Sequence, residues 1–458
     1  MKIIESLISD ASNFLWGPPL LILLLGGGIF FLFYSRFLPF RYLRHAVNVL
    51  RGKYDNPDDP GEINHFQALS GALAATIGMG NVSGVALAIA AGGPGALFWM
   101  WVSAMFGMAT KYFTCTLAVL YRGKDRDGQL QGGPMYVIRE GLGKKWIPLA
   151  GFFCVSAFIG ATPIFQANQM VAVMKNVILI PAGLPDSFSV DLIMGIVIAI
   201  IVGLVIIGGV KRIGNVASKL VPAMVIIFVV SVLIIMGINS EAIIPSFALI
   251  FKDAFTAQAV LGGAVGAIII EGAKRAAFSN EAGIGTAPMM HGAAKTKEPV
   301  REGLVAMLGP SIDTIVVCTM TGLCILMTGA WQTEISGNYS SDTQGVLMTT
   351  FAFEESLPGV GSYVLMVCVM IFAITTIFGL AYYGQKCLSF MVGPNYVKYY
   401  NFYYILLVIV GSISSLSLVT NLIFLGYGLM AIPTMISAII LAPKVMEATK
   451  SYFSRMSI

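Results

Sequence analysis

The chain has 458 residues, of which 57% are hydrophobic and only 11% are charged. An ordinary soluble domain carries about 25% charged residues, so this composition excludes a separate water-soluble domain and indicates an integral membrane protein. The formal net charge of +5 does not indicate nucleic-acid binding, because the basic residues lie in short loops between apolar runs, as is typical of loops beside a membrane. The six cysteines form no C-x-x-C pair, so we expect neither disulfides nor a metal site from them.

Membrane-spanning helices need runs of about 18 or more mostly apolar residues. We count eleven such runs, and the segments between them are short. The sequence therefore predicts an all-α polytopic membrane protein with about eleven transmembrane helices in one domain, residues 1–458. The runs lie near residues 18–36, 63–91, 95–121, 147–175, 190–210, 214–238, 256–278, 302–330, 360–390, 400–418 and 421–443.

Basic residues collect in alternate loops, which sets the expected orientation of the spans. The loops after the first and third runs are rich in lysine and arginine, whereas the longest loop, residues 331–359, contains acidic residues but no lysine or arginine. With an odd number of spans, this bias predicts an N-terminus outside and a C-terminus inside the cell, in the plasma membrane.

The second run is interrupted by glycines at its centre, in the segment GMGN at residues 78–81. A glycine costs a helix roughly 1 kcal/mol relative to alanine, and an unsatisfied backbone group in lipid costs several kcal/mol more. The break therefore suits a site where freed amide and carbonyl groups bind a ligand, as in secondary transporters. Close helix packing by small residues is the structural alternative.

The seventh run contains a second interrupted stretch, GAIIIEGAKRAAFSNEAGIGTAP, with Gly272, Gly283 and Gly285 among polar residues. The two breaks lie five spans apart. Residues 63–238 and residues 256–443 are then equivalent five-helix halves of opposite orientation, and residues 1–62 add an extra first span and a loop. Paired breaks in two halves are a pointer to a transporter's binding site.

The run GGPGALFWMW at residues 92–101, preceded by GMGN, closely resembles the signature of the alanine/glycine:cation symporter family, and NEAGIGTAP resembles that family as well. The resemblance covers essentially the whole chain. It implies membership of the amino acid–polyamine–cation superfamily and a leucine-transporter-type five-plus-five inverted repeat with two broken helices. It also implies uptake of alanine or glycine coupled to sodium, and it implies no enzyme activity and no bound cofactor.

An amino acid zwitterion needs hydrogen-bond donors for its carboxylate and acceptors for its ammonium group. The amides of Met79 and Gly80 would be free at the start of a half-helix, whose dipole favours an anion. The resemblance implies that these amides hold the carboxylate and that carbonyl groups of the seventh run hold the ammonium group. The implied substrate site comprises Thr76, Gly78, Met79, Gly80, Gly272, Ala273, Ala276 and Ala277.

The resemblance also implies two sodium sites. One would use the carbonyl groups of Ala74 and Ile77 with the hydroxyl groups of Thr375 and Thr376. The other would use the Thr76 carbonyl group and the Asn81 side chain, with Asp313 as a candidate further ligand. Hydrogen bonding of the threonines to their own helix is the alternative to a cation role.

Phe165 and Asn168, three residues apart, share a helix face that we expect to look into the pocket, with simple interhelical bonding as the alternative. Phe278 is expected to cap the pocket. Buried charges in lipid are costly, so we expect Glu271, Glu281, Asp313 and Lys111 to pair with opposite charges, as a gate involving Lys274 or Arg275. The three histidines, His45, His65 and His291, are expected at span ends without forming a cluster.

Three other functions remain as alternatives. An ion channel usually combines a filter with symmetric subunits, whereas one chain with two inverted halves suits alternating access. A membrane-embedded enzyme would need a polar constellation such as H-E-x-x-H, and none is visible. A proton-coupled symporter stays open, because Glu271 or Asp313 could titrate. The expected partners are alanine or glycine, sodium and the lipid bilayer, with no nucleic acid and no obligate protein partner.

Overall fold

The computed structural model describes residues 2–207, 209–255, 264–332 and 344–456. These parts are almost wholly helical, apart from one short hairpin in which β1 (Gly123–Lys124) pairs antiparallel with β2 (Leu130–Gln131). The helices of the first half of the chain are α1 (Lys2–Leu15), α2 (Pro18–Leu21), α3 (Gly27–Tyr34), α4 (Leu38–Arg41), α5 (Leu43–Leu50), α6 (His65–Thr76), α7 (Met79–Gly92), α8 (Ala96–Leu120), α9 (Pro134–Tyr136), α10 (Ile147–Gly160), α11 (Ile164–Met174), α12 (Phe188–Ile206) and α13 (Gly209–Ile238).

The helices continue through the second half of the chain. They are α14 (Ile243–Ala254), α15 (Ala264–Asn280), α16 (Thr286–His291), α17 (Pro299–Ala306), α18 (Leu308–Pro310), α19 (Thr319–Met327), α20 (Gln344–Ser356), α21 (Gly361–Val392), α22 (Val397–Ser412), α23 (Leu416–Ile440) and α24 (Ala442–Met456). Wider π-helical turns span Ile22–Gly26, Val137–Leu142, Lys175–Leu179 and Ser311–Cys318, and 3₁₀ turns span Lys144–Trp146, Ser240–Ala242 and Pro394–Tyr396.

Six helical segments in the described residues are long and apolar enough to cross a membrane, and two bent helix pairs raise the number to eight if each pair is one span. The bent pairs are the N-terminal helices with a bend of 44°, and α6 with α7 with a bend of 42°. An all-α polytopic membrane protein is therefore confirmed. The six segments are Lys144–Leu179, Phe188–Ile206, Lys219–Ile238, Pro299–Met327, Gly361–Val392 and Leu416–Ile440.

The remaining three predicted spans coincide with helices outside that set of eight. These helices are α8 with 25 residues, α15 with 17 residues and α22 with 16 residues. The first residues of the predicted seventh span, 256–263, lie outside the described residues. The count of eleven spans and the inverted repeat stay predictions.

Burial separates the central helices from the peripheral ones. In the most apolar 18-residue stretch of each segment, 72% of the Pro299–Met327 stretch is buried inside the protein. The corresponding buried share is 33% in α12 and 33% in the Lys219–Ile238 segment. The peripheral helices expose large apolar side chains such as Leu204 and Ile226, which suits contact with lipid. The central helices bury their side chains against α6, α7 and α15 and so surround the two predicted breaks.

The fourth predicted span is interrupted as well, which the sequence analysis did not anticipate. Helix α10 ends at Gly160 and α11 begins at Ile164. Pro163 lacks a backbone N–H group and its ring opposes continuation of the preceding helix. The expectation that only two spans are broken is therefore incomplete.

Candidate functional site

The break between α6 and α7 lies at Ile77 and Gly78, where the sequence predicts it. Ile77 has an extended conformation, and the Gly78 N–H group donates a hydrogen bond of 2.8 Å to Oδ1 of Asn81. A Cβ atom on Gly78 would lie 2.3 Å from Oγ1 of Thr376. The break is thus held locally by Asn81, and only a glycine permits the close approach of α21.

The N-terminal end of α7 presents free donors at this break. Helix geometry leaves the N–H groups of Met79 and Gly80 without an acceptor in their own helix, and within the described residues no other protein group accepts from them. The aligned peptide dipoles give such an end a partial positive charge. The first turn of α7 is therefore a ready site for a carboxylate group.

The break in the seventh predicted span lies at residues 281–285, after α15. This break lies within the interrupted stretch that the sequence predicts, but helix α15 is continuous from Ala264 to Asn280, so Gly272 is not part of the break. A Cβ atom on Gly272 would lie 2.6 Å from Cβ of Trp99, which shows that Gly272 serves close helix packing. The break is made instead by Gly283 and Gly285, both with positive φ, and by Glu281 with φ of 55°.

The C-terminal end of α15 presents free acceptors. The last carbonyl groups of a helix lack partners within that helix. The Ala277 carbonyl group accepts from the Glu281 N–H group at 3.0 Å, whereas no described residue donates to the carbonyl groups of Phe278 and Ser279. This end of the helix therefore carries a partial negative charge.

The two helix ends meet. A Cβ atom on Gly80 would lie 3.1 Å from Cα of Ser279 and 3.3 Å from the carbonyl oxygen of Phe278. The donors of α7 thus lie against the acceptors of α15. The arrangement sets hydrogen-bond donors with partial positive charge beside acceptors with partial negative charge.

The carbonyl groups that were predicted to bind the ammonium group do not lie at this junction. The carbonyl groups of Gly272, Ala273 and Ala276 belong to the unbroken helix. The side chains of Ala273 and Ala277 line a small cavity that α8 and the first span also line. The carbonyl groups of Phe278 and Ser279 are not among the predicted acceptors, because no sequence pattern shows that α15 ends at Asn280.

The first predicted sodium site is partly assembled. The Thr376 hydroxyl group donates to the Ala74 carbonyl group at 3.1 Å across two helices, and Ile77 lies at the break beside them. The Thr375 hydroxyl group instead donates to the carbonyl groups of Ile371 and Phe372, both at 3.0 Å, on its own helix. Thr376 faces the break, whereas Thr375 follows the alternative of bonding within its own helix.

The second predicted sodium site brings its side chains into contact. Nδ2 of Asn81 donates to Oδ1 of Asp313 at 2.8 Å and to the Ser279 hydroxyl group at 3.1 Å. Ser279 in turn donates to Oδ2 of Asp313 at 2.6 Å. Asp313 is fully buried, and the Thr76 hydroxyl group is buried without a partner among the described residues. Ser279, which is not among the predicted ligands, bridges the two side chains.

Aromatic rings close the junction on one side. The Phe165 and Phe278 rings meet edge to face with centroids 5.1 Å apart, and Phe278 lies over Gly84. Asn168 donates to the Ser414 carbonyl group at 2.7 Å, in the turn between α22 and α23. Asn168 therefore makes an interhelical bond, and its predicted place in the pocket stays a prediction.

A charged cluster lies on α15 two turns before its end. Glu271 and Arg275 form an ion pair at 2.5 Å, as expected, and the Arg275 guanidinium and Lys274 ammonium groups lie 5.0 and 4.5 Å from the Phe424 ring centre. Cation–π contacts of this kind add about 0.5–2 kcal/mol each. The indole N–H group of Trp16 donates to the Phe424 carbonyl group at 2.7 Å, so the N-terminal helix region reaches this cluster.

The expected pairing of the other buried charges is wrong for the described residues. Glu281 accepts hydrogen bonds from the hydroxyl groups of Tyr427, at 2.5 Å, and Thr286. Asp313 accepts from neutral donors only, as given above. Lys111, only 2% exposed, makes no ion pair or side-chain hydrogen bond with any residue that the structure describes.

Two of the histidines do cluster, which corrects the expectation that none would. Nδ1 of His65 bonds one carboxylate oxygen of Glu302, and Nδ1 of His291 bonds the other at 2.5 Å. All three side chains are buried, and they tie α6, α16 and α17 together. His45 bonds the Tyr452 hydroxyl group at 2.9 Å instead, and burial lowers the pKa of His45.

Backbone hydrogen bonds also hold the segment before α6 against the segment that follows α16. The Glu62 N–H group donates to the Ala293 carbonyl group at 2.8 Å, and the Thr296 N–H group donates to the Pro60 carbonyl group at 3.1 Å. The Arg122 guanidinium group donates to carbonyl groups in both segments, and burial lowers its pKa to about 10. The start of α6 and the end of α16 are therefore locked together.

Comparison with known proteins places the chain among transporters. The model of the sodium:alanine symporter family matches residues 1–457. The chain is 42% identical over 462 residues to an uncharacterized transporter of Haemophilus influenzae, covering 99% of this chain and 97% of that protein. It is 40% identical over 449 residues to the sodium/alanine symporter AgcS of Methanococcus maripaludis, covering 98% of this chain and 97% of that protein.

A more distant relative carries a different substrate in its name. The chain is 32% identical over 456 residues to the probable sodium/glutamine symporter GlnT of Bacillus subtilis, covering 98% of this chain and 91% of that protein. Relatives that match nearly the whole chain therefore differ in the substrate that their names carry.

Proposed function

Because the chain belongs to the sodium:alanine symporter family, we propose that it carries alanine and glycine into the cell together with sodium. It is a multi-pass membrane transporter and not an enzyme. Family membership favours a symporter over a channel and favours sodium over the proton as the coupled ion. Sodium is then a transported ion rather than a resident cofactor.

The observation that carries the proposal is the meeting of the α7 and α15 ends. The free N–H groups of Met79 and Gly80 suit the substrate carboxylate, and the free carbonyl groups of Phe278 and Ser279 suit its ammonium group. No charged side chain is needed at either contact, because the helix dipoles supply the complementary partial charges. A zwitterionic substrate would contact both ends at once.

Sodium would bind on both sides of the α6–α7 break. The first ion would take the carbonyl groups of Ala74 and Ile77 with the Thr376 hydroxyl group, displacing the bond between Thr376 and Ala74. The second would take the side chains of Asn81 and Asp313 with the Thr76 carbonyl group. Hard oxygen donors from unwound backbone are typical sodium ligands in transporters. Because both ions would hold the broken segment, they would also shape the substrate site.

The pocket should favour small side chains. Phe165 and Phe278 lie edge to face beside the helix ends, and Phe278 covers Gly84. A methyl group or a hydrogen atom on the substrate would fit beside these rings, whereas a larger side chain would have to move them. This favours alanine and glycine over glutamine, the substrate in the name of GlnT.

Transport would proceed by alternating access around this site. We propose eleven spans, with an extra first span in residues 1–62 and inverted halves in residues 63–238 and 256–443. The N-terminus would lie outside the cell and the C-terminus in the cytoplasm, from the loop charges. Single cysteines at Ser9 and Ser454 should then react with impermeant reagents from opposite sides, and reaction from one side would overturn the orientation.

Binding of labelled alanine to the purified protein tests the proposal. We expect saturable binding that requires sodium and that potassium does not support. Glycine should compete, and alaninamide, which lacks the carboxylate group, should compete poorly. Alanine binding of equal strength without sodium would contradict the coupling, and equal competition by alaninamide would contradict the role of Met79 and Gly80.

A further inference from the structure

A buried lysine lies on α8, which packs against the segments of the second proposed cation site and of the break after α15. Lys111 on α8 is 2% exposed and makes no ion pair or side-chain hydrogen bond with any described residue. An uncompensated ammonium group at membrane depth is costly and calls for a function.

The packing of α8 places this lysine beside both carboxylate-bearing segments. A Cβ atom on Gly309 would lie 3.1 Å from Nζ of Lys111, and Gly309 lies one helical turn before Asp313. One turn earlier on α8, a Cβ atom on Gly107 would lie 3.0 Å from Cβ of Ala282, next to Glu281. Helix α8 therefore packs against both acidic segments, which also contact each other through the hydrogen bond from Ser279 to Asp313.

Neutral groups satisfy the hydrogen bonding of both carboxylates but not their charge. Asp313 accepts from Asn81, Ser279 and Thr314, and Glu281 accepts from Thr286 and Tyr427. Two buried carboxylates and one buried ammonium group sum to one negative charge when all three are ionised. One bound monovalent cation makes the set neutral, which lowers the cost of burying it.

We propose that Lys111 is the fixed counter-charge of the cation site at Asp313. The positive charge of Lys111 limits the site to one monovalent cation. It also lowers the affinity of the Asp313 site for that cation, so that sodium can dissociate. The inference rests on the second cation site of the proposed function. Lys111 is a positioning residue in this account, because it acts through the field at Asp313 and does not contact the substrate.

Charge-changing variants test this role. Lys111→Met leaves two uncompensated negative charges, so the sodium concentration for half-maximal alanine binding should fall about tenfold, the effect expected of one unit charge in a partly polar interior. Uptake turnover should fall as well, because sodium release is slower. Glu281→Gln removes one negative charge and should raise the half-saturating sodium concentration about tenfold.

The double variant Lys111→Met with Glu281→Gln restores the original charge and should return sodium dependence to within about twofold of the wild type. A purely structural lysine would not be rescued in this way. Lys386 is the matched control, since it is another buried lysine, and its Nζ atom donates to the Met289 carbonyl group at 3.0 Å. Lys386→Met should leave the half-saturating sodium concentration unchanged.

The outcomes separate this inference from the proposed function. Folded Lys111→Met and Glu281→Gln proteins with wild-type sodium dependence would overturn the role of Lys111. If Lys111→Met does not fold, Glu281→Gln alone still tests the field, since an unchanged sodium dependence overturns the inference. Asp313→Asn tests the underlying site, because unchanged sodium dependence in that variant would remove the second cation site and this inference with it.

Discussion

The two helix breaks lie against each other, but their backbone groups differ in hydrogen bonding. The α6–α7 break contains Gly78 and Asn81 and leaves the N–H groups of Met79 and Gly80 unused. The break after α15 is filled by its own side chains and by its neighbours. The Ala282 N–H group donates to Oδ1 of Asn280 at 3.0 Å.

Helix α23 supplies most of that filling. The Thr434 hydroxyl group donates to the Ile284 carbonyl group at 3.1 Å, and Tyr427 holds Glu281. The first break is therefore free to bind a ligand, whereas the second break is a rigid support for it. A side chain added at a glycine of the first break should change binding, whereas one added at a glycine of the second should change stability.

The largest effect is expected from an alanine in the second break. Gly285 has φ of 104°, and a Cβ atom there would lie 2.4 Å from Oγ1 of Thr434. Gly285→Ala should destabilise the protein by about 3 kcal/mol, from backbone strain and overpacking together. Thermal unfolding in detergent measures this change. A stable variant that has lost only alanine binding would reverse the proposed division between the breaks.

The same substitution in the first break should act on binding. In Gly78→Ala the new methyl group would displace Thr376, at a cost of about 2 kcal/mol or roughly 30-fold in alanine affinity. Gly151→Ala is the matched control, because no atom lies within 4 Å of the position its Cβ would take. Titration of labelled alanine at saturating sodium measures the loss, and wild-type affinity in Gly78→Ala would remove the site from this break.

Substrate size sharpens the comparison without any mutation. Leucine should compete for labelled alanine about 5- to 150-fold less well than alanine, since overpacking a filled site costs about 1–3 kcal/mol. The rings of Phe165 and Phe278 provide the wall. The methyl group of alanine is small enough that both enantiomers are worth testing, because the helix ends fix the two charged groups only. Leucine that competes as well as alanine would contradict the small pocket.

The smallest effect is expected from a single sodium ligand. Thr376→Ala removes a hydroxyl group that faces the break, so the half-saturating sodium concentration should rise about fivefold. This change corresponds to about 1 kcal/mol, the free energy that one typical hydrogen bond contributes. Thr375→Ala is the control, because its hydroxyl group bonds its own helix, and it should change sodium dependence less than about twofold. Equal effects from both would contradict the assignment of Thr376 alone.

Short-range patterns made the first break and much of the fold predictable. The apolar runs match the helices closely, and the glycines beside Asn81 mark the break because a side chain three residues on can bond the free Gly78 N–H group. The second break lies within the predicted stretch, at Gly283 and Gly285 and not at Gly272. Gly272 is a packing residue within a helix, and Asn280 and Glu281 carry no sequence signal for a helix end.

The long-range contacts could not be read from the chain. Glu302 and His65 are separated by 237 positions, and no periodicity connects them. Tyr427 likewise reaches Glu281 only because α23 packs beside the break. Sequence patterns report local backbone preference, whereas these pairs depend on which helices become neighbours.

Uptake of labelled alanine into proteoliposomes under an imposed sodium gradient tests the central claim most directly. We predict accumulation above the external concentration that collapses when the gradient is removed. An inside-negative potential of about 100 mV should increase accumulation roughly 40-fold per sodium ion carried. Accumulation that a proton gradient drives without sodium, or simple equilibration that the sodium gradient does not affect, would contradict sodium-coupled symport.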